Sequence, residues 1–121
     1  MKVLVVDDDR VLADLVSFTL RRAGYEAVIA GDAASALRRW TEDQPDFIIL
    51  DVNLPGTADM QDGFAICQRI RSESDVPIIL LTERDSAGEH TAAFIAGTAA
   101  TLPKPFPLDA LFNMVQGMLP A

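Results

Sequence analysis

Short apolar runs alternate along the chain with longer segments in which apolar residues recur every three or four positions. The short runs predict strands that are buried on both faces, because a strand with one wet face would alternate apolar and polar residues. The longer segments predict amphipathic helices. The predicted strands cover residues 2–6, 25–30, 46–50, 76–82 and 99–103, and the predicted helices cover 9–23, 33–43, 63–71, 85–96 and 107–119.

The predicted order is therefore a strand followed by a helix, repeated five times. Such alternation predicts an α/β fold, in which a parallel sheet carries helices on both faces and the crossovers are right-handed. The chain has 121 residues, 50% of them hydrophobic, which suits one domain over residues 1–121. Ligands of such open sheets bind beyond the carboxyl ends of the strands, so we expect functional residues directly after the strands.

Two helices carry recognisable end signals. Gly24 is expected to end the first helix, and Asp32 is expected to cap the second, which places Ala36, Leu37 and Trp40 on its inner face. The residues of the first helix that recur at helical spacing are Val11, Leu12, Leu15, Val16, Thr19 and Leu20.

Composition narrows the possible functions. The net charge of -8 argues against direct nucleic-acid binding, which needs clustered lysine and arginine. A single cysteine, Cys67, excludes an intrachain disulfide, and its apolar helical surroundings indicate a buried thiol. No apolar run reaches the ~18 residues of a membrane span, and the N-terminus lacks the cleavage site of a signal peptide. We therefore expect a soluble, cytoplasmic protein.

Side chains that can bind ions or react follow four of the five predicted strands. They are Asp7, Asp8 and Asp9 after the first strand, Asp51 after the third, Thr82 at the end of the fourth, and Lys104 after the fifth. Taken singly, each has an ordinary structural explanation, since aspartates cap helices and precede turns. Their convergence on one edge of the sheet is better explained by a functional site.

The residue types at this edge suit a metal ion and a phosphoryl group. Neighbouring carboxylates repel one another unless a cation lies between them, and Mg²⁺ prefers oxygen ligands. Asp7 or Asp8, together with Asp51, meets that need. A hydroxyl at Thr82 and an amine at Lys104 would contact the remaining oxygens of a phosphoryl group. The nucleophile would be a carboxylate, and the product would be an acyl phosphate.

The segments "VLVVDDD", "DVNLPG…DGF", "PIILLT" and "LPKPF" occur in this order along the chain. Through them the chain resembles the receiver domain of two-component response regulators over essentially its whole length. The resemblance implies a flavodoxin-like (βα)5 doubly wound parallel sheet with strand order 2-1-3-4-5. It also implies a signalling phosphoacceptor, with self-directed phosphotransfer and autodephosphorylation as its only reactions.

The resemblance implies a role for each site residue. Asp51 would accept a phosphoryl group from the phosphohistidine of a sensor histidine kinase or a phosphotransfer protein. Asp7, Asp8 and Asp51 would hold Mg²⁺, with the backbone carbonyl of Asn53 as a further ligand.

The remaining roles concern the helix that follows and the response to phosphorylation. Asp9 would cap the first helix, and Lys104 would pair with the phosphoryl oxygens. Thr82 would move toward the phosphoryl group and report it to the surface formed by residues 85–96, 99–103 and 107–119. That surface would act on a downstream effector domain or protein.

Three positions depart from the family's usual pattern. Thr101 stands where an aromatic residue is usual, so we expect a weakened or different coupling to the output. Glu83 stands where a small residue is usual, and its charge would slow phosphorylation by small anionic donors. The loop between Asp51 and Gly63 is longer than usual, with the insertion at residues 57–61. Because doubling a loop costs only about 0.6 kcal/mol, the fold tolerates it.

Two other interpretations stay open at this point. A degenerate receiver would keep the fold and bind partners without phosphorylation. A phosphatase of the haloacid dehalogenase type would use Asp7 as its nucleophile and Asp9 as its acid. That fold needs a further acidic pair after the lysine, and only Asp109 follows Lys104 here. Trapping of labelled phosphate on Asp51 or on Asp7 would separate the receiver from the phosphatase.

Overall fold

The computed structural model describes residues 1–51, 63–82, 100–103 and 106–118. The strands are β1 (Lys2–Val6), β2 (Glu26–Ala30), β3 (Phe47–Asp51), β4 (Ile78–Thr82) and β5 (Ala100–Pro103). The helices are α1 (Arg10–Arg22), α2 (Ala33–Asp43), α3 (Gly63–Arg71) and α4 (Leu108–Met118). These bounds agree with the predicted ones to within two residues. The helix predicted over residues 85–96 lies outside the described residues.

The five strands form one sheet in the order β2-β1-β3-β4-β5, and every pairing is parallel. The predicted fold class is therefore confirmed. Every residue of β3 and of β4 is buried, which accounts for their continuous apolar sequences. Alternate residues point to opposite faces of the sheet, so each strand supplies side chains to two separate apolar layers.

Helices cover both faces of the sheet. One apolar layer joins α2 and α3 to the sheet, and it includes Ala36, Ile66 and Cys67. The other layer joins α1 and α4 to the opposite face, through residues such as Leu20 and Leu111. No helix in the described part of the chain has the length and apolar character that a membrane crossing requires.

Helix α1 has two apolar faces, although its spacing pattern suggested one. Val16 and Leu20 of the predicted pattern are buried against the sheet. Val11 is 71% exposed and Leu15 is 48% exposed, and both lie on the outer face with Phe18, which is 59% exposed. The buried face of the helix also carries the small residues Ala13 and Ser17, which let the backbone approach the sheet closely.

The local predictions for Asp32 and Cys67 are confirmed. Asp32 caps α2, and its Oδ1 accepts a hydrogen bond of 2.7 Å from the backbone N–H of Ser35. Cys67 is a buried thiol, and desolvation raises its pKa. A raised thiol pKa leaves little thiolate, which agrees with a packing role.

Candidate functional site

The topology brings three carboxylates together at one edge of the sheet. Strands β1 and β3 are parallel neighbours, and Val6 of β1 lies opposite Leu50 of β3. The next residues along the two strands are Asp7 and Asp51, so they come side by side. Oxygens of Asp7, Asp8 and Asp51 lie within 4.8 Å of one another. The expected convergence of these three side chains is therefore found.

The three carboxylates differ in their access to solvent. Asp7 is 2% exposed and Asp51 is 3% exposed, whereas Asp8 lies at the surface. The backbone N–H of Asp9 donates a hydrogen bond of 2.9 Å to Oδ1 of Asp7. The backbone N–H of Asp7 donates to the carbonyl oxygen of Ala30 at 3.0 Å. Asp7 is thus held on the buried side of the cluster, and Asp8 lies on the side that faces solvent.

Asp9 is separated from the cluster by its role in α1. Its Oδ1 accepts a hydrogen bond of 3.2 Å from the backbone N–H of Leu12, in the first turn of the helix. This is the helix cap that the resemblance implies for Asp9. The side chain satisfies one of the N–H groups that a helix start leaves without a partner.

Thr82 ends β4 at the same edge of the sheet. Asp51 lies opposite Leu81, so Thr82 follows one residue beyond Asp51 on the adjacent strand. The Thr82 side chain is buried, and its Oγ1 has no hydrogen-bond partner among the described residues. A buried hydroxyl without a partner costs stability, so this side chain is available to a ligand that supplies an acceptor.

Several residues of interest lie outside the described residues: Asn53, Glu83, Lys104 and the insertion at 57–61. Thr101, the position where the family usually has an aromatic residue, lies on β5 opposite Leu80 of β4 and is half-buried. Pro103 lies opposite Thr82 at the end of β5. Lys104 is the next residue in the sequence after Pro103.

The donor set fits a hard divalent cation. Three carboxylates supply only oxygen ligands, which is the chemistry that Mg²⁺ prefers. Acidic groups at a surface often occur together without an ion, but two of these three are buried. Buried carboxylates in close proximity need compensating positive charge, and a cation bound between them would provide it.

Sequence reasoning left open which of Asp7 and Asp8 accompanies Asp51, and the structure places both beside it. It also overlooked Ser17, whose buried Oγ, like that of Thr82, has no partner among the described residues. Ser17 lies on the inner face of α1, far along the helix from Asp9. Ser17 is buried because α1 packs on the sheet, and the spacing of apolar residues in the sequence did not predict this burial.

Residues 3–116 match the family model of the response regulator receiver domain. The chain belongs to this family. It is 38% identical over 120 residues to the response regulator MprA of Mycobacterium leprae, which covers 98% of this chain and 51% of that protein. The chain thus spans about half the length of the curated relatives it matches. Membership replaces the haloacid dehalogenase interpretation.

Solved receiver structures share this fold. The chemotaxis response regulator CheY4 of Vibrio cholerae superposes with a TM-score of 0.88 at 35% identity, covering 98% of both chains. The BeF3-activated N-terminal receiver domain of RstA from Klebsiella pneumoniae superposes with a TM-score of 0.87 at 27% identity, covering 96% of both chains. The chain is therefore a receiver domain of the two-component response regulators, a family of signalling domains.

Proposed function

We propose that this receiver domain accepts a phosphoryl group on Asp51 from the phosphohistidine of a sensor histidine kinase or a phosphotransfer protein. The observation that carries the proposal is the cluster of Asp7, Asp8 and Asp51, with oxygens within 4.8 Å of one another. An Asp51 oxygen attacks phosphorus while the bond from phosphorus to the histidine nitrogen breaks, and the electron pair returns to the imidazole. Hydrolysis of the acyl phosphate then restores Asp51 and releases inorganic phosphate.

Asp7, Asp8 and Asp51 would hold Mg²⁺, with the backbone carbonyl of Asn53 as a further ligand. The ion would supply positive charge that offsets the repulsion between the carboxylates and the phosphoryl oxygens. The hydrogen bond from the Asp9 N–H fixes the orientation of Asp7 before any ion binds. Asp8 is exposed, so the ion and the phosphoryl donor would approach the cluster from its side.

Thr82 and Lys104 would contact the phosphoryl oxygens once they are on Asp51. The Thr82 Oγ1 has an unused donor at the end of β4, and a phosphoryl oxygen is a strong acceptor for it. The Lys104 ammonium would pair with a second oxygen. Movement of Thr82 would report phosphorylation to the surface of β5 and α4, which the sequence predicts residues 85–96 to complete.

Binding of beryllium fluoride, a phosphoryl mimic, in the presence of Mg²⁺ tests the site directly. We expect the wild-type chain to bind it and Asp51→Asn to lose binding. Asp14→Asn, which removes an exposed carboxylate of α1, serves as the matched control and should bind like wild type. A wild-type chain that does not bind the mimic would favour the degenerate receiver, a binding module that works without phosphorylation.

The outer face of α1 is the surface where we place the phosphodonor protein. Val11, Leu15 and Phe18 form an exposed apolar stripe that starts two residues after the Asp9 cap, beside the carboxylate cluster. Exposed apolar surface next to a functional site is typical of interfaces.

Phe18→Ala tests this docking surface. We expect phosphoryl transfer from the partner protein to slow about tenfold, the size of effect that an interface aromatic typically has. Binding of beryllium fluoride should stay unchanged, because the site itself is intact. Glu42→Ala, an exposed change on α2, is the control. Equal slowing by both variants would count against the α1 surface.

We propose that residues 1–121 act as one receiver unit in the cytoplasm, without direct nucleic-acid or membrane contact. Its output would reach an effector domain or a separate effector protein. The curated relatives are about twice as long as the region that matches this chain.

A further inference from the structure

A cavity of about 460 Å³ lies at the edge of the sheet opposite the carboxylate cluster. The described residues that line it are Trp40, Thr41, Gln44, Pro45, Glu73 and Ser74. They lie where α2 ends and where the chain turns from α3 toward β4. A five-residue strand is about 16 Å long, so this cavity is separate from the proposed phosphorylation site. Its volume is within the usual range for small-ligand sites.

An indole and a carboxylate stand side by side in this cavity. Trp40 packs partly against the apolar layer under α2, and its Nε1–H donates to Oε2 of Glu73 at 3.3 Å. Arg69 donates from Nε to the other Glu73 oxygen at 3.4 Å, with both side chains more than half exposed. An exposed pair of this kind contributes only about 0–1 kcal/mol, so an incoming cation can replace Arg69.

The described residues that line the cavity carry a negative formal charge. Glu73 is acidic, and none of the other described lining residues is basic. Helix α2 ends here with its cap at Gln44, whose N–H donates to the carbonyl oxygen of Trp40 at 3.3 Å. A helix C-terminus carries partial negative charge, and the last turn of α2 contains no basic residue to offset it.

We propose that this cavity binds a guanidinium group, stacked on the Trp40 indole and paired with the Glu73 carboxylate. A guanidinium is planar and weakly hydrated, and its N–H groups match a carboxylate in pairs, whereas an ammonium is a compact and strongly hydrated charge. Gln44 and Thr41 also line the cavity, and the Thr41 hydroxyl, which donates to the carbonyl oxygen of Leu37 at 3.0 Å, keeps lone pairs that can accept. The guanidinium belongs either to an arginine of a partner polypeptide or to a free small molecule.

Trp40 is the only tryptophan of the chain, so its fluorescence reports on this cavity directly. The full chain is titrated with a capped Ala-Arg-Ala peptide, at ionic strength held constant with NaCl. The matched neutral probe is the same peptide with citrulline in place of arginine. We expect a saturable change with the arginine peptide and none with the citrulline peptide.

Variants locate the binding. Glu73→Gln should weaken the arginine peptide at least fivefold, and Glu42→Gln, an exposed change on α2, should leave it unchanged. Asp51→Asn should bind the peptide like wild type, so this test stands apart from the phosphorylation site. Far-ultraviolet circular dichroism confirms that each variant is folded.

Methylguanidinium in place of the peptide distinguishes the two sources. Tighter binding of the peptide supports an arginine of a polypeptide, and equal binding supports a free guanidinium compound. An equal response to citrulline and arginine would overturn the proposal. An equal affinity of wild type and Glu73→Gln would overturn it as well, even if the peptide binds.

Discussion

At the scale of single residues, three consecutive aspartates after β1 take three different positions. Asp7 is buried and accepts a backbone hydrogen bond, Asp8 is exposed, and Asp9 caps α1. The same side chain differs here only in its surroundings, because the turn from β1 into α1 rotates each residue to a new direction. The surroundings of a polar side chain affect its free energy most when the side chain is buried.

Thr82→Val tests the role of the buried hydroxyl at the end of β4. The valine keeps the shape and removes a polar group without a partner among the described residues, so we expect the free energy of unfolding to rise by about 1 kcal/mol. The affinity for beryllium fluoride in the presence of Mg²⁺ should fall, because the hydroxyl that would contact the phosphoryl mimic is gone. Urea unfolding and a beryllium fluoride titration measure the two effects.

Ser17→Ala is the matched control, because Ser17 Oγ is also buried without a partner among the described residues. Ser17→Ala should raise the free energy of unfolding by a similar amount, since alanine also favours the helix. It should leave the affinity for beryllium fluoride unchanged. A Thr82→Val chain that loses more than about 1 kcal/mol would show that the hydroxyl is paired in the native protein.

At the scale of elements, aspartate caps determine where α1 and α2 begin. Asp9 and Asp32 each accept a hydrogen bond from the backbone N–H three residues later. For Asp32, the backbone hydrogen bond from Ser35 is the main reason that its pKa lies below the ordinary value of 3.8. The cap therefore depends on the charged form of this carboxylate.

Asp32→Ala should lower the free energy of unfolding by about 1 kcal/mol near neutral pH. The pKa of Asp32 is lower in the folded state than in the unfolded state. Its contribution is therefore present above 3.8 and is lost as the pH falls through the folded-state value. The difference between wild type and variant should shrink in acid.

Urea unfolding of both proteins near neutral pH and at about pH 3 measures this difference. Glu42→Ala, at the other end of α2, controls for loss of an exposed carboxylate. A difference that stays constant between the two conditions would contradict the charged cap.

At the scale of the whole molecule, excess negative charge opposes folding. The net charge is -8, and the ion pairs among the described residues all involve partly or largely exposed side chains. Such pairs contribute little, and like charges repel one another most strongly where the carboxylates cluster. A bound Mg²⁺ would relieve this repulsion. An ion that binds the folded state and not the unfolded state stabilises the folded state.

We expect Mg²⁺ at a hundredfold excess over its Kd to raise the free energy of unfolding by about 2.7 kcal/mol. The effect of Asp8→Asn on the free energy of unfolding should change sign between solutions without and with Mg²⁺. Without divalent ions the variant should be more stable than wild type, because one of three adjacent charges is gone. With Mg²⁺ it should be less stable, because a ligand is gone.

Chemical unfolding with Mg²⁺ and with a chelator, at equal ionic strength, shows this reversal. Asp14→Asn removes an exposed charge away from the cluster and should respond to Mg²⁺ like wild type. Equal stabilisation of Asp8→Asn and wild type by Mg²⁺ would place the ion elsewhere.

Sequence periodicity predicted the parts of this protein that depend on neighbouring residues. Continuous apolar runs identified the strands, because a strand buried on both faces has no polar side. Their alternation with helices predicted a parallel sheet, and the family resemblance added the strand order. Since parallel strands end at one edge, the aspartates after β1 and β3 could be assigned to one site.

Only the tertiary structure decided the features that depend on packing between distant residues. Val11 and Leu15 point outward because of how α1 is rotated about its axis on the sheet. The helix has two apolar stripes, so its sequence alone does not determine which stripe faces the sheet. Trp40 and Glu73 meet because α2 and α3 pack on the same face of the sheet. Local sequence encodes periodicity and caps, whereas the contacts between elements arise from sheet register and helix packing.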